Sequence, residues 1–445
     1  MNPLSVETKK VTDYFMDWEM LYPKAYNKKT ASPFTKVRVI LMNGTEFEST
    51  WFLHQFARNC NDQDLKRKIA LVRAQEQQQQ KRIGALKPKN ENVLETTISY
   101  EQLAIELTAI LAMHEKNKNN KEALNFALLE DFDHLYRFGN LLKMDFGIDA
   151  ENLVGKYTEI TPGRPTISEH RCPMDNVKRA LNSKTADLFS NLVASIITAA
   201  EQQTMNFYMN MAAFYKNDIG RKLFSEIGMI EEQHVTQYES LKDPNCTWLE
   251  NWVMHEYTEA YLYYSMFCDE SDKNIKQIWK EHFEMEVAHL KLAIDCLMKY
   301  ENKDYTTVLP KPEFPKLIQF GGNKEYIREV LERTVNLTSE KEKYVEVNNF
   351  QGRQISLFFK GRLTKTLKLF QATQLLFLQF LSLEKIIAMK TSQTLLKPFK
   401  TERKTIRRLE ENKISIMYIK PLVLRSGFIF KGRNKLIAKI FCFQV

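Results

Sequence analysis

Apolar residues recur at helical spacing along most of the first 300 residues, and short polar breaks divide them into segments. The clearest segments predict helices at 186–215, 219–242, 247–268 and 273–300. Gly and Pro, with 14 and 13 residues, are scarce, and long stretches lack both, which favours helix. Helices separated by short turns are typical of bundles, so the pattern predicts an all-α protein. Similar patterns predict four earlier helices at 46–60, 63–86, 99–116 and 121–144.

The two sets of predicted helices are related by an internal repeat. Shifting the sequence against itself by 155 residues, without gaps, aligns the first set with the second. Overall identity is low, but the matches include residues that can bind metals. The aligned pairs are Glu46 and Glu201, Glu76 and Glu231, Glu101 and Glu256, Asp131 and Glu286, and His134 and His289.

Two of the eight histidines follow a glutamate by three residues, in Glu231-x-x-His234 and Glu286-x-x-His289. This spacing places the carboxylate and the imidazole one turn apart on the same helix face. A single such pair is usually a helix-stabilising surface pair, but here another glutamate lies 30 residues before each motif. The recurrence favours a metal site. Its candidate ligands are Glu201, Glu231, His234, Glu256, Glu286 and His289.

Four helices that offer Glu, Glu-x-x-His, Glu and Glu-x-x-His resemble the ferritin-like, rubrerythrin-type carboxylate proteins, whose bundle cores hold two metal ions. The resemblance implies that Glu231 and Glu286 bridge the metals and that His234 and His289 are terminal nitrogen ligands. It also implies that Glu201 and Glu256 are the carboxylates of the lone-glutamate helices. Glu259, one turn from Glu256, matches an additional carboxylate of rubrerythrins.

The first copy departs from this pattern. Gln79 stands where the repeat has His234, and Asp131 stands where it has Glu286. We therefore interpret the first copy as a structural or regulatory bundle that could still hold one metal through Glu101, Asp131 and His134. Its degenerate positions are Glu46, Glu76, Gln79, Glu101, Asp131 and His134.

The resemblance predicts two tandem ferritin-like four-helix bundles. The regions are an N-terminal segment (1–33), a degenerate bundle (34–144), an irregular linker (145–185), a bundle with a dinuclear site (186–302), an extension with a short helix at 323–335 (303–350) and a basic tail (351–445).

The net charge of +9 comes from the tail. Residues 351–445 carry 20 Lys or Arg and 4 Glu, so they contribute +16 and the remainder sums to −7. The body therefore gives no reason to expect nucleic-acid binding. The tail has two interpretations, a basic membrane-surface or RNA-binding extension and the translation of a shifted reading frame; we favour the second and expect no stable domain there.

The six cysteines include no CxxC pair, which argues against a zinc ribbon or a rubredoxin-type module. An external protein would then have to supply electrons, since rubrerythrins usually carry such a module. The polar N-terminus and the lack of a membrane-length apolar run lead us to expect a cytoplasmic protein.

The predicted function is that of a di-iron oxidoreductase that reduces peroxide or reacts with dioxygen, with manganese as an alternative metal. The alternative from another class is a non-catalytic metal-binding or scaffolding bundle. Iron storage in a large shell suits this long chain less well, whereas a homodimer is compatible with it.

Replacing both Glu231 and Glu286 by Ala should abolish iron binding, because both predicted bridging carboxylates are lost. Metal per chain after anaerobic incubation with Fe(II) measures this. Unchanged iron content in the variant would show that the predicted site is wrong.

Overall fold

Eight long helices form most of the part of the chain that the computed structural model describes, which is residues 1–164 and 171–346 together with Asn349. The predicted tail, 351–445, lies outside the described residues. A short helix follows each set of four, and a small antiparallel hairpin closes the described chain, with Leu337 opposite Glu346. The elements are α1 (Pro33–Asn59), α2 (Gln63–Gly84), α3 (Val93–His114), α4 (Lys118–Phe146), α5 (Glu151–Val154), α6 (Leu188–Phe214), α7 (Asp218–Glu239), α8 (Trp248–Asp269), α9 (Lys273–Glu301), α10 (Lys324–Thr334), β1 (Leu337–Glu340) and β2 (Lys343–Glu346).

The internal repeat is preserved helix by helix. Helices α1 to α4 have 27, 22, 22 and 29 residues, and α6 to α9 have the same four lengths. Every helix of the second set begins 155 residues after its counterpart. The all-α prediction is thus confirmed, and the repeat that carries the candidate ligands also has matching helices.

Polar caps set the helix boundaries. The four three-residue turns within the hairpins (60–62, 115–117, 215–217 and 270–272) each end in Asp or Asn. The side chain of that residue accepts a hydrogen bond from a backbone N–H of the following helix, as in Asp62 to Leu65. Helices α3 and α8 begin with full capping boxes, Asn92 with Glu95 and Thr247 with Glu250. These local signals produce four tight helical hairpins.

Helices α1 and α3 begin earlier than the sequence pattern predicted, at Pro33 and Val93. Residues 34–42 of α1 are buried on every side of the helix, including the polar Lys36 and Arg38, so this part of α1 has no solvent-exposed face. A helix surrounded by other helices has no amphipathic stripe, which is why the periodicity failed there.

The hairpins do not associate in chain order. The first hairpin (α1–α2) packs with the fourth (α8–α9): Thr35 Oγ1 donates to Glu270 Oε1 at 2.7 Å, and Arg38 Nη2 lies 2.7 Å from Asp269 Oδ2. We call these four helices group I. The hydrogen bond between Thr35 and Glu270 has a counterpart in the repeat. Ser190 aligns with Thr35 and Glu115 aligns with Glu270, and these two residues are also hydrogen-bonded.

The second hairpin (α3–α4) packs with the third (α6–α7) to form what we call group II. Arg137 Nη2 on α4 lies 2.9 Å from Glu226 Oε2 on α7, and Asn120 Nδ2 donates to the carbonyl of Ser190 at 3.2 Å. The predicted bundles at 34–144 and 186–302 are therefore not the units that the structure groups together. The equivalent hairpins present similar faces, so each can pair with a hairpin from the other copy, and turn spacing alone does not choose between the pairings.

The two groups meet where α1 crosses α6. A methyl group added at Gly44 would lie 2.8 Å from Nε2 and 3.2 Å from Cβ of Gln203. That Nε2 atom donates to the backbone carbonyl of Ile40 at 2.9 Å. Gly44 therefore permits the close approach that joins group I to group II.

The segment before each set of helices also repeats. Met16 N donates to Gln78 Oε1 at 2.9 Å, and Arg171 N, 155 residues later, contacts Gln233 Oε1 at 3.4 Å. Part of the predicted linker at 145–185 is therefore the counterpart of the N-terminal segment. The predicted helix at 323–335 is confirmed as α10. Over the described residues, every helix is too short or too polar to cross a lipid bilayer.

Replacing Gly44 by Leu should lower the free energy of unfolding by roughly 1–3 kcal/mol, because the new side chain overpacks the crossing of α1 and α6. Leu favours helix more than Gly does, so a loss of stability must come from packing. Denaturant titration measures the loss. Gly84→Leu, at the exposed end of α2, is the matched control and should be neutral or stabilising. Equal stability of the two variants would contradict the close crossing.

Candidate metal centres

The six predicted ligands of one site lie in two separate clusters. Glu256, Glu286 and His289 meet side chains of the first hairpin, whereas Glu201, Glu231 and His234 meet side chains of the second. The prediction of one six-ligand site is wrong because the helices that carry these two triads belong to different groups. Centre I comprises Glu46, Glu76, Gln79, Glu256, Glu259, Glu286 and His289. Centre II comprises Glu101, Asp131, His134, Glu201, Glu231 and His234.

Each centre combines one hairpin from each copy of the repeat. The residues of the first copy that looked degenerate are therefore divided between the centres. Gln79 lies in centre I, beside an intact motif from α9, and Asp131 lies in centre II, beside an intact motif from α7. Centre I retains one Glu-x-x-His motif, and centre II pairs one with Asp131-x-x-His134, so neither copy forms a degenerate centre by itself.

Centre I gathers five carboxyl groups and one imidazole in the interior of group I, all fully buried. Donor atoms of Glu76, Glu256, Glu286 and His289 lie within 4.8 Å of one another, and Glu259 belongs to an overlapping set with Glu46 and Glu76. The Nδ1 atom of His289 lies 2.9 Å from Glu76 Oε1 and 3.2 Å from Glu286 Oε2. The carboxylates of Glu76 on α2 and Glu286 on α9 thus face the same imidazole nitrogen.

Polar side chains hold several of these acids in place. Gln79 Nε2 donates to Glu46 Oε1 at 3.2 Å and to Glu286, so it contacts the acids as a hydrogen-bond donor. The Tyr263 hydroxyl donates to Glu46 and lies 3.0 Å from Nδ1 of His282, which is itself fully buried. The sequence pattern gave no reason to expect the tyrosine or His282, because neither lies in the repeated motif.

Centre II has four carboxyl groups and two imidazoles. Glu231 lies between the imidazoles: its Oε1 is 3.0 Å from Nδ1 of His134, and its Oε2 is 3.0 Å from Nδ1 of His234. The two rings are 6.0 Å apart between centroids. Donor atoms of Asp131 and Glu201 lie within 4.8 Å of those of Glu231 and His234. Glu101 belongs to a second such set, with His134 and Glu231. A carboxylate with each oxygen near a different imidazole has the arrangement of a bridging ligand.

The far nitrogen of one histidine in each centre contacts a residue that the sequence analysis missed. His289 Nε2 lies 2.8 Å from Gln75 Oε1, and His234 Nε2 lies 2.5 Å from Glu130 Oε2. Both partners directly precede a candidate ligand, on a helix of the opposite hairpin. Contacts of this kind fix the tautomer and orientation of metal-binding histidines. Only the pairing of the hairpins reveals them.

Arginine compensates the charge behind centre II. Glu130 Oε1 accepts from Arg171 Nη1 at 2.7 Å, and the guanidinium of Arg164 lies 4.0 Å from the same oxygen. Burial opposes ionisation of Glu130, but these arginines and His234 lower its pKa. The carboxylate is therefore ionised and paired, and it belongs to the support of the centre.

Burial is the first cause that raises the pKa values of most acids in centre I. It raises those of Glu46, Glu256 and Glu259 well above the ordinary value, with neighbouring carboxylates adding to the effect. Burial and the adjacent Glu76 raise the pKa of Glu286 to about 7. Burial acts in the same direction on Glu76, but the His289 imidazole lowers its pKa overall. The metal-free centre therefore holds acids that resist ionisation.

In centre II, too, burial raises the pKa values of some acids and imidazole lowers the pKa of another. Burial and the neighbouring Glu231 raise the pKa of Glu201 to about 7, and burial raises that of Asp131 well above its ordinary value. Burial opposes ionisation of Glu231 as well, but the imidazoles of His134 and His234 lower its pKa to about 2. In each centre imidazole lowers the pKa of one acid, Glu76 or Glu231, whereas burial keeps the pKa values of the other acids raised.

These donor sets fit divalent metal ions. Buried carboxylate oxygens without a hydrogen-bond partner include Oε2 of Glu46, Oε2 of Glu76, Oε1 of Glu259, Oδ2 of Asp131 and Oε1 of Glu201. Unsatisfied buried oxygens of acids are costly, and a cation would satisfy them. Carboxylates with one or two imidazoles suit iron and manganese. Among the described residues, no Lys or Arg forms an ion pair with any acid of either centre.

Comparisons with known proteins identify no relative: no protein-family model matches the chain, and no curated protein or solved structure is significantly similar to it. An assignment of function therefore depends on the geometry of the two centres.

The metal-free protein should become less stable as the pH rises from about 5 to 8. Glu201 and Glu286 have higher pKa values in the folded state than their ordinary value of 4.5, so they favour folding while protonated and lose that contribution towards pH 7. His234 and His289, whose pKa values are raised by neighbouring carboxylates despite burial, change stability in the same direction at higher pH. Bound metal needs ionised carboxylates and should remove this decline.

Thermal unfolding of the metal-free and metal-loaded protein across this pH range measures the effect. Replacing Glu201 and Glu286 by Gln should flatten the decline of the metal-free protein. Glu232→Gln, at an exposed position of α7, should leave it unchanged. A metal-free protein that gains stability towards pH 8 would contradict the proposed electrostatics.

Proposed function

We propose that the chain is a ferritin-like, rubrerythrin-type oxidoreductase that holds a pair of iron ions in each of its two centres and reduces peroxide or reacts with dioxygen. The observation that carries the proposal is the burial of nine carboxyl groups, five in centre I and four in centre II, with imidazole as their cationic or nitrogen-donating partner. Two divalent ions bring four positive charges, which offset the carboxylates of one centre nearly or fully.

The positions of the side chains support a set of ligand roles. In centre II, Glu231 faces both imidazoles and would be a bridging carboxylate, as would Asp131, whose Oδ1 lies 3.5 Å from Nδ1 of His234. By the repeat, the same roles in centre I would belong to Glu76 and Glu286, which both approach His289. The carboxylates of the lone-glutamate helices would be terminal ligands. They are Glu46 and Glu256 in centre I and Glu101 and Glu201 in centre II.

A pair of bound ferrous ions would supply the two electrons that, with two protons, convert one hydrogen peroxide into two water molecules. The protein excludes bulk water by burying every donor and orients the imidazoles through Gln75 and Glu130. It fixes the acids through hydroxyl donors, since Tyr263 contacts Glu46 and Tyr208 contacts Glu101. Because the chain has no CxxC pair, the electrons that restore the ferrous state would come from another protein.

Anaerobic loading with Fe(II) should give about four irons per chain, two for each centre. Glu231→Ala should lose the two irons of centre II, and Glu286→Ala should lose the two of centre I, because each variant removes a proposed bridging carboxylate. The double variant should bind none. Metal analysis after desalting measures these contents, and one equivalent of peroxide should then oxidise two irons in the wild type.

Glu232→Ala and Glu284→Ala are the matched controls, because they remove acids on the same helices that lie outside the centres. Both should retain four irons. Full iron content in the Glu231→Ala and Glu286→Ala variants would overturn the metal assignment. Iron that binds as expected but does not react with peroxide or dioxygen would instead support the alternative of a non-catalytic metal-binding bundle.

A further inference from the structure

The repeat allows the two centres to be compared position by position. Each residue of centre I has a counterpart 155 residues away, in centre II, so an unmatched residue distinguishes the centres. Glu259 of centre I corresponds to Ala104, and Gln79 of centre I corresponds to His234 of centre II. At the aligned positions centre I thus has one more carboxylate and one fewer imidazole; His255, whose Nε2 lies 3.5 Å from Glu259, is an additional imidazole at its edge and aligns with Tyr100. We propose that the two centres are electronically different and that centre I is oxidised at the lower potential. This inference rests on the proposed function, because it requires iron in both centres.

Glu259 is placed to act on the metals of centre I. It is fully buried, and its donor atoms share a 4.8 Å cluster with those of Glu46 and Glu76. Ser49 Oγ lies 3.3 Å from one of its carboxylate oxygens, and the other oxygen has no hydrogen-bond partner. A fully buried acid with a free oxygen among other candidate ligands is available to a cation. The alanine at the equivalent place in group II offers no donor.

The net charge of each centre predicts which centre has the lower reduction potential. With two divalent ions, the five carboxylates of centre I leave a net charge of about −1, whereas the four of centre II leave about 0. An additional anionic ligand stabilises the more highly charged ferric state and lowers the potential, as net charge does at other buried iron sites. The second imidazole of centre II is neutral and suits ferrous iron. Both differences favour earlier oxidation of centre I.

The charges around the centres do not reverse this order. Glu130, behind His234, is paired with Arg171 and Arg164 and adds no uncompensated negative charge to centre II. On the side of centre I, Glu48 contacts both His255 and Lys242, at 3.3 Å and 3.7 Å. Each outer carboxylate therefore has its own cationic partner, two arginines for Glu130 and Lys242 for Glu48. Nε2 of His255 also lies 3.5 Å from Glu259, but burial lowers the pKa of that imidazole, so it is neutral and the carboxylate charge of Glu259 remains the difference between the centres.

A redox titration of the iron-loaded full-length protein tests the proposal. The ferrous protein is titrated stepwise with a mediated chemical oxidant, and Mössbauer spectra count ferrous and ferric iron at each potential. We expect two steps, each of two irons. Glu286→Ala should remove the step at lower potential, and Glu231→Ala should remove the step at higher potential, which assigns each step to its centre.

Glu259→Gln preserves the size of the side chain and removes one charge, so it should move the lower step towards the upper one. Glu106→Gln is the matched control: Glu106 is buried on α3 but hydrogen-bonded to Thr158 and Asn323, outside both centres. It should leave both steps in place. A single step of four irons, a first step that belongs to centre II, or no shift in Glu259→Gln would overturn the inference. Failure to bind iron would instead overturn the proposed function, and metal analysis before titration distinguishes the two outcomes.

Discussion

The burial of acids without matching bases is the constraint on which this structure depends. Nine carboxyl groups lie in two interiors, and the described residues place imidazole, amide and hydroxyl groups beside them but no lysine or arginine. Such an interior cannot be fully ionised without a cation, and it cannot be fully satisfied when it is neutral. The raised pKa values of Glu201 and Glu286 reflect the cost of ionising the buried acids. The carboxyl oxygens without hydrogen-bond partners reflect the cost of leaving the acids neutral. Two metal ions in each centre, as we propose, would remove both costs.

Secondary structure and candidate ligands could be predicted from the sequence because both are local or periodic. Caps such as Asp62 and Asn92 and the 155-residue repeat indicate where helices begin and which acids correspond. The choice of partners between hairpins is different, because it depends on the summed packing of long faces. Hairpins of the same length and similar pattern offer no simple sequence signal that says which of them share a core. The ligand types were therefore predicted, whereas their division between two centres was not.

Residues that support the ligands were the least predictable. Gln75, Glu130 and Tyr263 have no spacing of their own, and Arg171 lies in a region that the sequence suggested was only a linker. Their positions depend on which hairpins pair and on the repeated segments that precede each set of four helices. Glu259 is the exception, because the resemblance to rubrerythrins indicated a role for it before its surroundings were known. The same residue now distinguishes one centre from the other.

The interleaved hairpins also fix an order in time as the ribosome extends the chain. All four helices of group II have been synthesised once α7 ends at Glu239, so this group can close early. Group I must wait for α9, which ends at Glu301, although its first hairpin is among the earliest parts made. The apolar faces of α1 and α2 therefore lack their partner hairpin, α8–α9, during most of synthesis. Until that hairpin is made, only the packing of α1 against group II covers part of them. A nascent chain that stops between Glu239 and Glu301 has all the helices of centre II, whereas its first hairpin still lacks the helices that complete centre I.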